Sequence, residues 1–446
     1  MKTWNVIIKK EKADQFDVSS PNNEGKFVLP LYKSDATALN TNIEDLLKRK
    51  SISLTPIIDD FLSLSLSVYT TDQLISRDAD GYLGWSRHIK LFLPVSDCTK
   101  WKNVSNELQK LLSFLSGDIW ELNFRHYSYV KINNNSAHSQ DIINNRKNST
   151  VSLFSGGLDS FIGAIDLVKK ENGVCLVSHH KQGAPELEFQ RNLFNLLKNN
   201  YPKVNIELFD FFVQPINIGS GLLKENSSRA RSLLFISLGL IIANSISNNK
   251  EIIVPENGLI SLNIPLTNTR LGSHSTRTTH PYFISVFNFI LNKLDIGNQI
   301  NNPYQFYTKG EMFVNCKDQD FFKKYYSSTL SCAHPDAARW SGKSPNMHCG
   351  YCTPCIIRRA SIKRAGIIDS KYVHNLTDPT LKPHTKKGSD LRAFKIALER
   401  IMRKDDKSLL FEILSSGPLP NKNRSEILKY IELYKRGMKE VEELLK

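Results

Sequence analysis

The sequence predicts an α/β protein with a parallel sheet, and three observations carry that prediction. The apolar run 151–154 is followed by the turn formers of 155–157 and then by apolar residues at helical spacing as far as Val168. Strand-like and helical segments then alternate up to about residue 254, an order typical of parallel strands joined by helices. Four of the seven cysteines lie between 332 and 355, which predicts a small metal-binding subdomain.

A chain of 446 residues is too long for one typical core, so we expect several domains. The predicted division is an N-terminal α+β accessory domain at 1–132, a polar linker at 133–150, a glycine-turn domain at 151–330, a cysteine segment at 331–364 and a basic helical region at 365–446.

Segment 1–132 combines two periodicities. Trp4, Val6 and Ile8 alternate with polar residues, as half-buried strands do, whereas Leu108 to Leu115 recur at helical spacing. This mixture favours an α+β unit. The run 133–150 has little apolar content, which is typical of a linker.

The glycine-turn domain continues with strands predicted at 174–178, 204–212 and 251–254, and with helices at 187–197 and 229–243. In open parallel sheets ligands bind at the carboxyl ends of the strands. The residues that follow each strand are therefore the candidate site.

Residues 155–160, here called the glycine loop, have the composition of an anion-binding turn. Backbone N–H groups at a helix N-terminus, with serine hydroxyls beside them, suit a phosphate. An ordinary strand-to-helix turn is the alternative. The candidate phosphate-binding residues are Ser155, Gly156, Gly157, Leu158, Asp159 and Ser160.

Further polar residues follow the other strands or lie near them. His179, His180, Lys181 and Gln182 follow the second strand, where contact of the histidine pair with a ligand and plain polar surface are equal possibilities. Arg231 opens a long helix where the dipole disfavours a cation, which favours a local anion. The remaining candidates are Glu256 and Asn257 after the fourth strand, Arg270 and Arg277 in a long hydroxyl-rich loop, and Lys309.

The formal net charge of +15 and the pI near 9.3 favour an anionic partner. The chain opens without a signal-peptide pattern and holds no apolar run of membrane-spanning length, so we expect a cytoplasmic protein without membrane contact. The basic tail is amphipathic, and packing on its own protein is the leading interpretation. A partner-binding face comes second, and contact with nucleic acid is possible but not favoured.

Cys332, Cys349, Cys352 and Cys355 predict structural zinc. Two overlapping C-x-x-C steps present three thiolates to one ion, and the upstream cysteine completes a tetrahedral set. A redox pair is the alternative. A closed shell of four thiolates leaves no position for substrate, so the metal would hold the fold.

The Ser-Gly-Gly-Leu-Asp-Ser string resembles the phosphate loop of the PP-loop ATP pyrophosphatases. Together with the Thr308–Glu311 segment (TKGE) and Cys349–Cys355 (CGYCTPC), it resembles the QueC family, the 7-cyano-7-deazaguanine synthases, over about 150–364. The extra N-terminal segment and the basic tail are most like the QatC group of QueC-like proteins in the Qat antiviral defence systems. The resemblance implies a Rossmann-like (HUP) domain.

The resemblance also implies a reaction, the ATP-dependent adenylation of 7-carboxy-7-deazaguanine followed by transfer to ammonia. The glycine loop would then hold the pyrophosphate end of ATP with Mg²⁺, and Asp159, Lys181, Arg231 and Lys309 would take catalytic roles. A deazapurine substrate would contact His180, Gln182, Glu256, Asn257, Arg270 and Arg277.

Two departures from the family affect this expectation. The gap between Cys332 and Cys349 is longer than usual, and the substrate-side loop ENGLISLNIPLTNTR differs from the family pattern. A larger acceptor amine, such as the N-terminus of a partner protein from the same defence operon, is therefore a second possibility. Two further hypotheses are a catalytically silent module that senses a nucleotide or deazapurine, and a tRNA-modifying PP-loop enzyme.

Overall fold

We describe the fold from a computed structural model. The described residues are 2–21, 23–32, 38–128, 146–216, 225, 228–267, 277–343, 347–420 and 423–446. Most of the predicted linker, 133–145, lies outside these residues.

The strands are β1 (Thr3–Lys9), β2 (Glu24–Pro30), β3 (Leu39–Thr41), β4 (His88–Val95), β5 (Ile119–His126), β6 (Thr150–Leu153), β7 (Gly173–His180), β8 (Asn205–Pro215), β9 (Glu251–Ile253) and β10 (Gln299–Asn301). The helices are α1 (Ile43–Arg49), α2 (Pro56–Leu74), α3 (Arg77–Asp80), α4 (Cys98–Asn103), α5 (Ser105–Ser116), α6 (Leu158–Val168), α7 (Glu186–Asn200), α8 (Arg231–Ile246), α9 (Gly258–Leu262), α10 (Pro281–Lys293), α11 (Lys309–Asn315), α12 (Gln319–Tyr325), α13 (Ala337–Trp340), α14 (Thr353–Arg364), α15 (Ser389–Ile401), α16 (Asp406–Leu414) and α17 (Arg424–Leu445).

The first sheet has the order β2-β1-β4-β5, and its pairings are parallel throughout. The prediction of an α+β unit was therefore wrong for this sheet, because a purely parallel sheet is typical of α/β folds. Helices lie between β2 and β4 and between β4 and β5, but the described residues between β1 and β2 contain none. The alternation of Trp4, Val6 and Ile8 identified β1 correctly, whereas β2 was not predicted. Alternation carries no information about strand direction, which is decided by the connections between the strands.

The second sheet confirms the predicted parallel sheet. Its order is β10-β9-β6-β7-β8-β3, and its strands run parallel except for the short edge strand β3. From β6 the chain proceeds to β7 and β8 on one side, and then crosses to β9 and β10 on the other. The order therefore reverses at β6, and the crevice between β6 and β9 is the expected ligand position.

The two sheets share one hydrophobic core. Helix α2 is buried along most of its length and packs against α8, and a single apolar cluster joins residues of the first sheet to residues of β6 and α8. Segment 1–132 also supplies β3 to the second sheet. It is therefore an integral part of the fold and has no separate core.

A buried cluster of charges connects α2, α3 and the start of α8. The Asp72 carboxylate accepts from Arg77 at 2.7 Å and from Arg87 at 2.9 Å, and both guanidiniums also reach Asp118 at 2.6 Å. Asp72 accepts in addition from the Ala230 amide at 2.9 Å. This carboxylate is a local anion at the basic start of α8.

Helix α8 carries a long apolar run, and it is covered by α2 and by the sheet. Within the described part of the chain, no helix has both the length and the apolar character that a membrane crossing requires.

The described residues after 388 form three helices that pack on the rest of the protein, in agreement with the leading interpretation of the tail. Their apolar faces form one core with α9 and α14. A Cβ on Gly258, at the start of α9, would clash with Leu433 of α17. The last helix therefore packs directly on the segment that follows β9.

We predict that Asp72→Asn lowers the free energy of unfolding by about 3 kcal/mol, because it leaves buried guanidinium charge uncompensated. Urea denaturation measures the change. The matched control is Asp406→Asn, which removes a carboxylate from an exposed pair with Lys435 and should cost less than about 1 kcal/mol. Equal effects of the two substitutions would contradict the prediction.

Candidate functional site

The glycine loop lies between β6 and α6, at the point where the strand order reverses. Gly156 has φ +80°, a left-handed conformation that favours glycine, and a Cβ there would lie 3.2 Å from Gln190. Gln190 also donates to the backbone carbonyls of Ser155 and His179, at 3.2 and 3.4 Å. The loop is therefore held against the residues that end β7.

Serine hydroxyls bond the backbone of the glycine loop. Ser160 donates to the Gly157 carbonyl at 2.9 Å, and Ser155 Oγ accepts from the Gly157 amide at 3.3 Å. The Leu158 amide donates to Ser331 Oγ at 3.0 Å. These weak acceptors occupy the amides at the N-terminus of α6, where an incoming phosphate oxygen would bind more strongly.

Four predicted residues meet beside this loop, and we call them the switch-point cluster: Asp159, Glu256, Asn257 and Lys309. Lys309 Nζ lies 2.8 Å from Asp159 Oδ1, and both side chains are almost fully buried. Asn257 donates its side-chain amide to Asp159 Oδ2 at 2.7 Å and its backbone amide at 3.2 Å. Segments from three parts of the chain thus surround one carboxylate.

The two acidic groups of the cluster have opposite protonation tendencies. Burial alone would raise the pKa of Asp159, but the charge of Lys309 and hydrogen bonds with Glu256 and Asn257 outweigh burial and hold that pKa below its usual range. Burial and the charge of Asp159 raise the pKa of Glu256 well above its usual range. These opposite shifts favour an ionised Asp159 beside Lys309 and a protonated Glu256.

The C-terminal helix positions Lys309. Thr308 caps α11 in a reciprocal box with Glu311. Glu440 of α17 accepts from the Thr308 hydroxyl and from the Gly310 amide, and a Cβ on Gly310 would lie 2.7 Å from that carboxylate. The close approach of α17 to the start of α11 therefore depends on glycine at 310.

A second group lies at the carboxyl end of β7, and we call it the β7 cluster: Tyr69, His179, Lys181 and Arg231. Arg231 Nε donates to His179 Nδ1 at 3.2 Å, and Lys181 donates to Gln73 at 2.7 Å. Lys181 and Arg231 were predicted from the sequence, and His179 was named with His180 as a possible ligand contact, whereas Tyr69 was not predicted. Tyr69 lies in a helix that is buried along most of its length, and no local pattern marks it as a site residue.

The remaining predicted residues belong to neither cluster or lie outside the described part of the chain. Gln182 is exposed. His180 is buried against Phe212. Arg277 donates to the Phe114 carbonyl at 3.1 Å and stacks over the Phe114 ring, so it contacts α5 and not the glycine loop. Arg270 lies outside the described residues.

The four predicted cysteines come together as a group that could hold a metal such as zinc. The sulfur atoms of Cys332, Cys349, Cys352 and Cys355 all lie within 4.8 Å of one another. Backbone amides donate to two of them, from Cys349 to Cys332 Sγ at 3.3 Å and from Cys352 to Cys349 Sγ at 3.4 Å. Amide donors of this kind stabilise thiolates, so the donor set fits a four-coordinate divalent ion.

The cysteine group is joined to the glycine loop through the residues that precede Cys332. Leu330 donates its amide to the Gly156 carbonyl at 2.9 Å, and Ser331 Oγ accepts from the Leu158 amide. His348 accepts from the Ser331 amide at 3.0 Å. Its ring therefore supports the backbone beside Cys332, and a metal at the cysteines would stabilise the glycine loop indirectly.

Comparison with known proteins gives little further information. No family model matches the chain, and no curated protein is similar to it. Among solved structures, a ketoreductase domain from the bacillaene assembly line matches with 9% identity and a TM-score of 0.24, over 72% of this chain and 85% of that one. A likeness of this size supports no conclusion about fold or function.

We predict that Glu256→Gln becomes more stable relative to the wild type as the pH rises from 5 to 8. Glu256 keeps its proton in the folded protein and loses it on unfolding, so its stabilising contribution is complete below the unfolded pKa and falls as the pH rises toward the folded pKa. The slope is at most about 1.4 kcal/mol per pH unit, and urea denaturation at each pH measures it. The exposed Glu251 provides a control, Glu251→Gln. A stability difference that does not change with pH would show that Glu256 is ionised in the folded protein.

We predict that Cys349→Ser abolishes stoichiometric zinc binding and loosens the glycine loop, because zinc affinity is part of the local folding free energy. Elemental analysis and hydrogen exchange over 155–160 measure the two effects. Cys98→Ser, outside the cysteine group, should retain one zinc per chain. Full zinc content in Cys349→Ser would refute the assignment.

Proposed function

We propose that this protein is a QueC-like, ATP-dependent enzyme that adenylates the carboxylate of a 7-deazaguanine and transfers the acyl group to an amine. The observation that carries the proposal is the switch-point cluster beside the glycine loop. A buried lysine paired with a carboxylate at a helix N-terminus is an arrangement suited to the phosphates of ATP. The proposed domain is of the Rossmann-like PP-loop type, as the Ser-Gly-Gly-Leu-Asp-Ser string implies.

In the first step, an oxygen of the substrate carboxylate attacks the α-phosphorus of ATP. The bond from the α-phosphorus to the bridging oxygen breaks, and its electron pair leaves with pyrophosphate. The amides of the glycine loop bind the departing phosphates, and Ser155 and Ser160 add hydroxyl donors. Mg²⁺ would be held mainly by the phosphate oxygens of ATP and would neutralise part of their charge.

Lys309 has the main electrostatic role in this step. Negative charge grows on the α-phosphoryl oxygens as the carboxylate adds, and a pre-positioned ammonium stabilises it without reorganisation. Asp159 compensates the charge of Lys309 in its buried position, and Asn257 keeps Asp159 in place. No protein nucleophile is needed, so the catalysis rests on position and charge.

In the second step, an amine attacks the acyl carbon and loses a proton, and AMP leaves with the electron pair of the broken C–O bond. Ammonia as the acceptor gives a primary amide, which a second ATP can dehydrate to a nitrile. The N-terminus of a partner protein gives a secondary amide, which cannot be dehydrated. Zinc at the four cysteines would have a structural role only, because four thiolates leave no open position.

We predict that purified protein incubated with ATP, Mg²⁺ and 7-carboxy-7-deazaguanine forms AMP and pyrophosphate. Lys309→Met should lower kcat by about 10²- to 10³-fold, as measured by nucleotide chromatography. Lys10→Met is the matched control, because the Lys10 side chain is equally buried and is paired with two carboxylates, Asp59 and Asp60, beside the first sheet. AMP formation should persist in that control.

The absence of AMP in the wild type under all conditions, with zinc present and ATP bound, would contradict the proposed enzyme and favour a nucleotide-sensing module. AMP formation that requires tRNA would favour a tRNA-modifying enzyme.

A further inference from the structure

The segment between Cys332 and Cys349 carries an exposed tryptophan that the proposed reaction does not use. Trp340 ends the short helix α13 and is 90% exposed, whereas the other four tryptophans of the chain are buried or half-buried. No other ring of the described residues stacks on it. A single exposed apolar side chain is common on protein surfaces, so its surroundings decide whether it has a role.

Trp340 borders a cavity of about 430 Å³, a volume within the range of known ligand sites. Three further rings line this cavity, those of His334, Tyr351 and His374. The His334 and Tyr351 rings are nearly parallel, with centroids 5.8 Å apart and an interplanar angle of 28°. The His374 ring meets the Tyr351 ring at 5.7 Å and 60°. The wall of the cavity therefore presents four flat rings.

The elements that carry these rings are held in place by the fold. Tyr351 belongs to the buried cluster of the cysteine group. His374 Nδ1 lies 2.7 Å from Asp378 Oδ2, which orients the His374 ring. Ala338 of α13 is fully buried, so the helix that ends at Trp340 is docked on the protein. A site that is already formed loses less freedom when a ligand binds.

Segment 331–395, which contains the whole cavity, is strongly basic. It has twelve lysines and arginines and four acidic residues, and each acidic side chain bonds a neighbour within the segment. The pairs are Asp336–Arg339, Asp369–Arg359, Asp378–His374 and Asp390–Thr353. The acidic groups are therefore engaged locally.

Four lysines of this segment remain without such a partner. Lys387 lines the cavity, and Lys371, Lys382 and Lys386 are exposed as it is. None of the four forms an ion pair with an acidic side chain in the described part of the chain. The uncompensated positive charge beside the rings favours an anionic ligand.

We infer that this cavity, here called the tryptophan pocket, binds a base of a single-stranded nucleic acid, with the exposed lysines on the neighbouring phosphates. Every base has a flat face that stacks on aromatic rings, and the strand carries the negative charge that the lysines require. The bases of a duplex are already stacked on one another, so they do not reach a ring platform. An acidic peptide matches the charge but not the flat rings. The inference concerns binding alone and does not depend on the proposed reaction.

The first test measures the fluorescence anisotropy of labelled single-stranded RNA and DNA of one mixed sequence, with the zinc-loaded protein. Trp340→Ala should raise the Kd for the single strand about tenfold, because one base loses its stacking partner. The matched control is Phe411→Ala, since Phe411 is a 64% exposed aromatic residue of α16 outside the pocket. That control should leave the Kd unchanged, and both variants should keep the zinc content and melting temperature of the wild type.

A second test addresses the phosphate contacts and does not require a change at Trp340. The Kd for the single strand should rise steeply with salt concentration. Lys387→Gln should reduce the slope of log Kd against log salt by about 0.7, the value for one phosphate contact on a single strand. Lys407→Gln, which removes an exposed lysine of α16, should leave that slope unchanged.

Three outcomes would overturn the inference. The first is a wild type that binds neither single strand at low salt, and the second is an equal effect of Trp340→Ala and Phe411→Ala. The third is binding of the RNA duplex, or of polyglutamate, as tight as that of the single strand and insensitive to Trp340→Ala. Such insensitive binding would show that the surface recognises charge alone.

Discussion

The buried ion pair between Asp159 and Lys309 is the interaction on which the rest of the candidate site depends. Two charges removed from water are tolerated only when their geometry is close and their remaining bonding capacity is satisfied. Here the distance is 2.8 Å, and Asn257 supplies two further donors to the carboxylate. Burial and the same negative charge raise the pKa of Glu256 well above its usual range, so the pair also affects the protonation of the neighbouring acid.

That pair is maintained by segments distant in sequence. Glu440 of the last helix bonds the first residues of α11, and the same helix packs on α9 behind Asn257. The backbone just before Cys332 bonds the glycine loop from the other side. The C-terminal helix therefore contacts the start of α11 and α9, and the residues before the cysteine group contact the glycine loop.

The N-terminal segment has a comparable role on the opposite side of the sheet. Asp72 anchors α2 to the start of α8 through buried charges, and this contact sets the position of Tyr69 relative to Arg231. A shift of α2 would change the distance between the phenol and the two cations of the β7 cluster. The buried charges thus fix the position of α2 as well as stabilising the fold. Leaving any one of them unpaired would cost folding free energy.

The sequence by itself determined the features that depend on local spacing. The apolar run before the glycine loop predicted β6, and the alternation of strands and helices predicted the parallel sheet. The cysteine intervals predicted the four-cysteine group. These predictions were possible because periodicity and ligand spacing are properties of neighbouring residues. Only the tertiary structure decided the rest. Packing between segments that are distant in the chain decided the strand directions in the first sheet and the position of the edge strand β3. It also decided the contact of Arg277 with α5 and that of Tyr69 with His179. No local pattern shows which distant segments will pack together.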